Sequence, residues 1–146
     1  MIEALQDYLS RSPLHRWLDC RITEVNQEGR LVVTLPFKRE LRRDDGIENM
    51  AHGGVVAMLV DITAHAALHA QTGAGMPTID LRIDYLRPAV MPLTAVGVVR
   101  RRGKTIGNAD VEVHGSDGKL AATGRGVFLT LSSIGDGSDT KHDLPA

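Results

Sequence analysis

The chain has 146 residues, enough for one domain with its own core, and its 42% hydrophobic and 24% charged residues are typical of a soluble globular protein. The formal net charge of −1 gives no reason to expect a nucleic acid or a membrane surface as a partner. The single cysteine, Cys20, excludes an intrachain disulfide and a zinc site made of several cysteines.

The N-terminal segment predicts a short helix over residues 1–10, with Ile2, Leu5 and Leu9 on one side. It lacks the apolar run of a signal peptide, and we expect no segment of the chain to be long and apolar enough to cross a bilayer. These features predict a cytoplasmic protein without a membrane partner.

Two strands joined at a turn follow, in the sequence CRITEVNQEGRLVVTLP, where Gly29 supplies the turn. A polar loop then leads into an apolar helix predicted over 53–70, which ends near Gly73 and Gly75. Four strands are predicted after the helix. In the first of them, TIDLRIDY, apolar residues alternate with charged ones. The residues predicted to face inward in this strand are Ile79, Leu81, Ile83 and Tyr85.

The order of elements predicts an α+β fold in a single domain over residues 1–131. Short links and hairpin signals such as Asp117–Gly118 imply a largely antiparallel sheet. Because only one long helix is available, a curved sheet of about six strands must wrap around it to bury both. Residues 132–146, rich in Gly, Ser and Asp, predict a disordered tail.

The predicted central helix carries one carboxylate, Asp61, in an otherwise apolar sequence. A solvated helix face normally carries several Lys, Glu or Gln, and this helix has none of them before Gln71. A partly buried carboxylate in a cleft is a candidate base or nucleophile, with a raised pKa. The alternative is that Asp61 is an ordinary surface residue. At 100° per residue, one face of the helix gathers Gly54, Ala57, Met58, Asp61 and His65.

The helix opens on a glycine pair, Gly53 and Gly54. The first N–H groups of a helix lack intrahelical acceptors, and glycines let a ligand approach them closely. One such donor aimed at a developing oxyanion contributes roughly 3 to 4 kcal/mol to catalysis in other acyl-transfer sites. The alternative role of the pair is a tight turn into the helix, and the two roles are compatible.

Gly53 and Asp61 are eight residues apart, which is about 12 Å along a helix axis. A carbonyl held at Gly53 and attacked from Asp61 requires both groups within roughly 3 Å of the reacting atoms. One helix cannot satisfy both distances, whereas two helices from two subunits can. If these residues form a site, the protein is predicted to be a dimer with two shared sites.

Several segments resemble the PaaI-type hotdog-fold acyl-CoA thioesterases, within the 4-hydroxybenzoyl-CoA thioesterase-like superfamily. The resemblance covers about residues 20–130 and rests on HGGVVAMLVD, TIDLRIDYLRP, VVRRRGKTIGNADVEV and DGKLAATGRGVF. It implies a sheet wrapped around the central helix and a homodimer, often doubled into a dimer of dimers. The implied activity is hydrolysis of acyl-CoA thioesters, with coenzyme A as part of the substrate and no other cofactor.

The resemblance also implies roles for single residues. Gly53 would offer the oxyanion N–H, Asp61 of the other subunit would be the catalytic carboxylate, and His52 would shape the loop near the thioester. The family commonly has Asn or Gln six residues before this histidine, where the chain has Gly46. The nearest amide, Asn49, is then expected to take over the orienting role.

Substrate-binding residues are expected at Gly54, beside the oxyanion donor, and at His65. Relatives often carry a small or hydroxyl residue four positions after the acid, so His65 is expected to narrow the acyl group accepted. The phosphates of coenzyme A are expected to meet some of the basic residues in the run RRRGK, together with a cation in YLRP; the alternative is that the run is a solvated turn. The residues concerned are Arg87, Arg101, Arg102 and Lys104.

Other chemistries have less support. Asp61, His65 and His69 lie at i, i+4 and i+8, but successive steps drift by about 40° and no other segment offers a ligand, so no metal site is expected. Cys20 has no evident basic partner, and no G-x-S-x-G motif is present. A binder of acyl-CoA or acyl chains without turnover, an acyl-carrier-protein thioesterase and a hydratase remain alternatives, and the sequence does not identify the acyl group.

Overall fold

The computed structural model describes residues 1–43 and 46–131, so the predicted disordered tail over 132–146 lies outside the described residues. The helices are α1 (Ile2–Leu9), α2 (Pro13–Leu18) and α3 (Gly53–Thr72), with a 3₁₀ turn at Arg39–Leu41. The strands are β1 (Arg21–Val25), β2 (Arg30–Leu35), β3 (Thr78–Tyr85), β4 (Leu93–Arg102), β5 (Ile106–His114) and β6 (Leu120–Leu129).

The six strands form one antiparallel sheet in the order β1-β2-β4-β5-β6-β3, and α3 packs against the strands from β2 to β3. The predicted fold, one long helix wrapped by a curved antiparallel sheet of about six strands, is therefore confirmed. Strands β1 and β3 are the two edges of the sheet.

The alternation of apolar and polar residues decides which side of the sheet faces the helix. In β5, Ala109, Val111 and Val113 are buried, whereas Asp110 and Glu112 on the opposite face are partly or fully exposed. Period-2 alternation of this kind is the expected signature of a strand with one face on the core.

The turn between β1 and β2 is built as the sequence indicates. Gly29 has a positive φ of 86°, and the side-chain oxygen of Asn26 accepts hydrogen bonds from the backbone N–H groups of Glu28 and Arg30. In such an Asx turn, the side chain bonds to the backbone of its own turn. These bonds fix how β1 pairs with β2.

Strand β3 follows the predicted alternation only in its middle. Leu81 and Ile83 are partly buried against the core, but Ile79 is 53% exposed and Tyr85 is 57% exposed. The pairing of β3 with β6 shifts register between Thr78 and Asp80, which ends the simple alternation at Ile79. Strand β3 is thus an edge strand with apolar residues at its surface.

Helix α3 begins at Gly53 as predicted and continues two residues beyond the predicted end, to Thr72. Gly73 ends it in the left-handed conformation, with φ 69°. The helix is long and apolar enough to cross a bilayer by length and composition, contrary to our expectation from the sequence. Ten of its residues are buried inside the protein, so its apolarity is that of a core helix.

The N-terminal segment forms two helices where the sequence analysis predicted one. Helix α2 begins at the N-cap Ser12, whose hydroxyl accepts the His15 N–H, and Pro13 occupies its first turn. The Gln6 side chain clamps α1 to β1, since its amide donates to the Cys20 carbonyl and its oxygen accepts the Ile22 N–H.

Helix α3 approaches the sheet closely where β6 has glycine. A Cβ added at Gly124 would lie 2.6 Å from Val60 Cγ1 and 2.8 Å from the carbonyl oxygen of Arg82. The backbone of β3 cannot move away from such a contact without disturbing the β3–β6 pairing. Glycine is therefore required for the helix and the sheet to meet at this point.

We expect Gly124→Ala to lower the free energy of unfolding by about 1 to 3 kcal/mol, because overpacking displaces α3 or β3. Urea denaturation followed by circular dichroism measures the change. Thr123→Ala, on the neighbouring residue that lines the outer face of the sheet, is the control and should change stability by less than about 0.5 kcal/mol. Equal stability of the two variants would contradict the close-packing argument.

Candidate functional site

The sheet leaves one side of α3 uncovered. Five partly exposed residues lie along it, and we call them the open stripe: Gly53, Ala57, Met58, Asp61 and His65. This is the helix face that the sequence analysis singled out, with Gly53 in place of the fully exposed Gly54. Strand β3 reaches the open stripe from one side and α1 approaches it from another.

Asp61 is neither a free surface residue nor a fully buried one. Its Oδ1 accepts a hydrogen bond of 2.9 Å from the Thr78 hydroxyl, at the start of β3. In the parts of the chain that the structure describes, no group donates to Oδ2. The carboxylate is thus held by one oxygen and keeps the other for a water molecule or a substrate.

Thr78 was not among the site residues predicted from the sequence. Its contact with Asp61 depends on the register shift in β3, which the local sequence does not reveal. Tyr85, at the other end of the same strand, was also missed as a site residue, and its hydroxyl donates to the Gly53 carbonyl at 2.7 Å. These two bonds attach the edge strand to the open stripe at Asp61 and at Gly53.

The start of α3 offers one backbone donor. His52 is the N-cap, and its Nδ1 accepts the Gly54 N–H at 3.0 Å, which places the proton of the neutral ring on Nε2. Among residues 1–43 and 46–131, no acceptor engages the Gly53 N–H. His52 therefore bonds to the first turn of α3, and Gly53 rather than Gly54 carries the available N–H.

A pocket of about 530 Å³ opens beside this helix start. It brings Gly53 and Gly54 together with Arg87, and Tyr85 forms part of its wall. The pocket also includes Arg43, which the sequence analysis missed because only the fold returns the loop before α3 to the end of β3. A guanidinium group beside an open N–H favours an anionic or strongly polar ligand.

The basic run lies at the other end of the helix. Arg102 and Lys104 line a separate cavity of about 640 Å³ next to Thr72, the last residue of α3, and Arg101 is exposed on the same hairpin. A 20-residue helix is about 30 Å long. Within one chain, the structure therefore does not bring Arg101, Arg102 and Lys104 to Arg87.

Asn49 occupies a turn with a positive φ of 59°, and its carbonyl accepts the Met91 N–H. Its neighbour Met50 lines the pocket beside Gly53, but Asn49 is not among the residues of that lining. Gly46, which stands where relatives carry an amide, is exposed with φ 94°. The expected orienting role of Asn49 has no support from this arrangement.

His65 and His69 take part in an aromatic cluster with α1. The Tyr8 ring stacks on His69 with 3.5 Å between centroids, and His65 lies 5.9 Å from Tyr8 and 5.6 Å from Phe128. Burial, with a smaller contribution from His69, lowers the pKa of His65, and its Nε2 is buried without a hydrogen-bond partner. In the described residues, no group of His, Cys, Asp and Glu is arranged to hold a metal ion.

Along the helix axis, the Gly53 N–H and the Asp61 carboxylate are about 12 Å apart. The N–H belongs to the first residue of α3, and Asp61 is two turns further on. The two groups lie on one stripe of one helix and cannot act on the same atom within a single chain.

Comparisons with known proteins relate the chain to thioesterases. A family model for the thioesterase superfamily matches residues 48–122. A Saccharolobus solfataricus protein, provisionally described as an esterase, is 32% identical over 133 residues, covering 89% of this chain and 92% of its own. The Escherichia coli medium/long-chain acyl-CoA thioesterase YigI is 26% identical over 139 residues, covering 84% of this chain and 88% of YigI.

A solved structure is similar over almost the whole described fold. The E. coli PaaI protein from the phenylacetic acid degradation operon superimposes with a TM-score of 0.71 at 26% sequence identity, covering 87% of this chain and 93% of PaaI. The fold predicted from the sequence, and the family that it resembles, are therefore both confirmed.

Cys20 is buried, with 3% of its surface exposed, and burial is the main reason that its pKa rises to about 12. We expect the native protein not to react with iodoacetamide near pH 8, because almost no thiolate is present. The same reagent should label the chain once guanidinium chloride unfolds it, and mass spectrometry distinguishes the two states. Rapid labelling of the native protein would contradict this assignment of Cys20 as an inert core residue.

Proposed function

Because the chain belongs to the thioesterase superfamily, we propose that it hydrolyses acyl-CoA thioesters to a free acid and coenzyme A, in sites shared by two copies of the chain. One observation carries the proposal. The open stripe holds a carboxylate with a free oxygen and a helix start with a free N–H, about 12 Å apart on the same helix. Two antiparallel copies of α3 would bring each group opposite its complement.

The symmetry of such a pair can be derived from the residue numbers. If Gly53 of one helix faces the partner's Asp61, the two-fold axis passes near Ala57, halfway between them. The side chains at this crossing, Ala57 and Met58, are small or flexible, so two helices can approach closely.

The edge strand supports the same pairing. Strand β3 is eight residues long, and no strand among residues 1–43 and 46–131 pairs with it on its outer side. Long edge strands with apolar residues are normally covered, because their unpaired backbone groups pair readily with another strand. Continuing the sheet from β3 to the partner's β3 would cover the exposed side chains of Ile79, Tyr85 and Leu86.

In this pair, the thioester carbonyl oxygen would accept the Gly53 N–H of one subunit, and the partner's Asp61 would lie on the other side of the carbonyl carbon. Asp61 acts either as the base for a water molecule or as the nucleophile. Water supplies the hydroxyl of the acid and the proton of the released thiol. Thr78 is a positioning residue, because it holds one oxygen of Asp61 and leaves the other free.

An antiparallel pair of helices would also bring together two groups of cations that are far apart in one chain. Arg87 lies near the start of α3, and Arg102 and Lys104 lie near its end. The C-terminal end of the partner's α3 lies at the same end of the dimer as the pocket beside Gly53. Arg102 and Lys104, at that C-terminal end, would then come towards Arg87 across the interface. Coenzyme A, with its phosphates far from its thiol, is a ligand of suitable shape. No cofactor beyond it takes part, and a dimer of dimers and a cytoplasmic location stay predictions.

Replacing the donor tests the oxyanion role directly. Gly53 is the first residue of α3, where proline is tolerated and where its ring removes only the N–H. We expect Gly53→Pro to lower kcat for acyl-CoA hydrolysis by about 100- to 1,000-fold with little change in melting temperature. The measurement is thiol release with a chromogenic disulfide.

Gly53→Ala is the matched control, because it keeps the N–H. Its Cβ would lie 3.5 Å from the Tyr85 hydroxyl, which is an ordinary contact. This variant should retain most of the activity. Equal kcat in the proline and alanine variants would show that the Gly53 N–H has no part in the reaction.

A second prediction concerns Asp61 and the sharing of sites. Asp61→Asn should fold and dimerise normally and lose most hydrolysis, since the amide can neither accept a proton nor attack. Equimolar refolding of Asp61→Asn chains with Gly53→Pro chains should restore about one quarter of the wild-type activity, because half the dimers are mixed and each has one intact site.

Size-exclusion chromatography with light scattering checks that the mixture is dimeric. Without restoration, both groups would have to come from one chain, and the shared site would be wrong. Thiol release from short-, medium- and long-chain acyl-CoAs by the wild-type protein distinguishes an enzyme from a protein that binds acyl-CoA without turnover.

A further inference from the structure

We propose that Tyr8 of α1 closes one end of the acyl-binding cleft and sets the longest acyl group that the site accepts. This inference rests on the proposed function and adds a substrate class to it: compact acyl groups, as opposed to long linear chains. The observations that carry it are the position of Tyr8 at the end of the open stripe and the rigidity of its attachment.

The directions open to an acyl group at Asp61 are few. Towards Ala57, the open stripe meets the same residues of the partner helix at the two-fold axis. On the side of Thr78, β3 is bonded to the carboxylate itself. The pocket beside the Gly53 N–H is open to solvent and contains Arg87, which suits the coenzyme A arm. The remaining direction follows the open stripe from Asp61 towards His65.

In that direction the open stripe ends at four aromatic rings, which we call the wall: Tyr8, His65, His69 and Phe128. His65 lies one helical turn beyond Asp61, about 6 Å along the axis, and its ring lies 5.9 Å from the Tyr8 ring. One turn further, Tyr8 stacks on His69 with an angle of 5° between the ring planes. Beneath them, the fully buried Phe128 lies 5.6 Å from His65. About one turn of helix is therefore available before the cleft closes.

The wall is a fixed part of the fold. Leu5 and Leu9 of α1 are buried in the core, and Gln6 makes two hydrogen bonds to the backbone around β1. The Arg11 guanidinium lies 5.7 Å from the centroid of the Tyr8 ring, and the ring is held against His69 by stacking. Displacing a side chain that is fixed in this way, to admit a longer substrate, would cost free energy.

The proposed limit on the length of the acyl group would distinguish this chain from its relative YigI. YigI is described as acting on medium- and long-chain acyl-CoA. In the proposed site, an extended acyl group would have to displace Tyr8 from its stack on His69, whereas a compact acyl group would end before it reaches these rings. In other enzymes, one extra or missing methylene group of the substrate in a hydrophobic pocket changes kcat/KM by about 10- to 200-fold.

The test compares kcat/KM for butanoyl-, hexanoyl-, dodecanoyl- and palmitoyl-CoA in four proteins. The wild-type protein should prefer the two short substrates. Tyr8→Ala should raise the ratio of dodecanoyl to butanoyl kcat/KM by about tenfold or more, mainly through the dodecanoyl value. Tyr8→Phe keeps the ring and should keep the wild-type ratio. Trp17→Ala removes a half-exposed ring of α2 that contacts Lys38, and it should also leave the ratio unchanged.

Melting temperatures accompany the kinetics. If Tyr8→Ala is too unstable to assay, Tyr8→Leu keeps an apolar side chain and should produce the same shift in ratio, together with stronger inhibition of butanoyl-CoA turnover by dodecanoyl-CoA. Two results would contradict the proposed role of Tyr8 without contradicting the thioesterase activity. One is a wild-type preference for dodecanoyl-CoA. The other is a ratio of dodecanoyl to butanoyl kcat/KM that changes no more in the Tyr8 variants than in Trp17→Ala. Absence of turnover with every acyl-CoA would overturn the proposed function itself.

Discussion

The side of α3 that the sheet leaves uncovered is the constraint on which the rest of the structure depends. Six strands wrap a helix that is apolar nearly all round, and they bury ten of its twenty residues. The open stripe left over is too apolar to be an ordinary solvated face, since Asp61 is its one charged residue. An exposed apolar surface of this kind favours contact with another protein surface, and the proposed pairing with a second copy of the chain would cover it.

Strand β3 connects this constraint to the chemistry. Its two ends bond to two residues of the open stripe, through Thr78 to Asp61 and through Tyr85 to Gly53. A hydrogen bond to an ionised carboxylate contributes roughly 1.5 to 3 kcal/mol, which offsets part of the cost of holding Asp61 in an apolar surface. The same strand is one of the two edges of the sheet, so in the proposed dimer one element would both orient the two groups and offer a surface to the partner.

The sequence predicts those features that local patterns determine. The alternation in β5, Gly29 in its turn, and the Gly53 start and Gly73 end of α3 all follow from rules of spacing and backbone freedom. The acid of α3 stands out because the helix has no other charge around it. These local signals suffice for the fold and for the two groups of the proposed reaction.

The features that the sequence does not predict depend on contacts between distant segments. Thr78 meets Asp61 because of a register shift in β3, and Arg43 reaches the Gly53 pocket because a loop returns to the end of that strand. Tyr8 stacks on His69 across more than sixty residues of sequence. No periodicity encodes such pairs, and they include the residues that we propose to orient the acid and to limit the length of the acyl group.

The burial of His65 keeps a positive charge away from Asp61, its neighbour one turn earlier on α3. A protonated imidazole one turn from Asp61 would offset the carboxylate, but burial holds the pKa of His65 below its ordinary value of 6.5, so the ring is neutral near pH 7. Because the folded state binds this proton less readily than the unfolded chain, stability is unaffected above pH 6.5 and falls as the pH drops below that value. The burial of His65 against Phe128 thus leaves the Asp61 carboxylate without a cation one helical turn further on, which suits the base or nucleophile that we propose Asp61 to be.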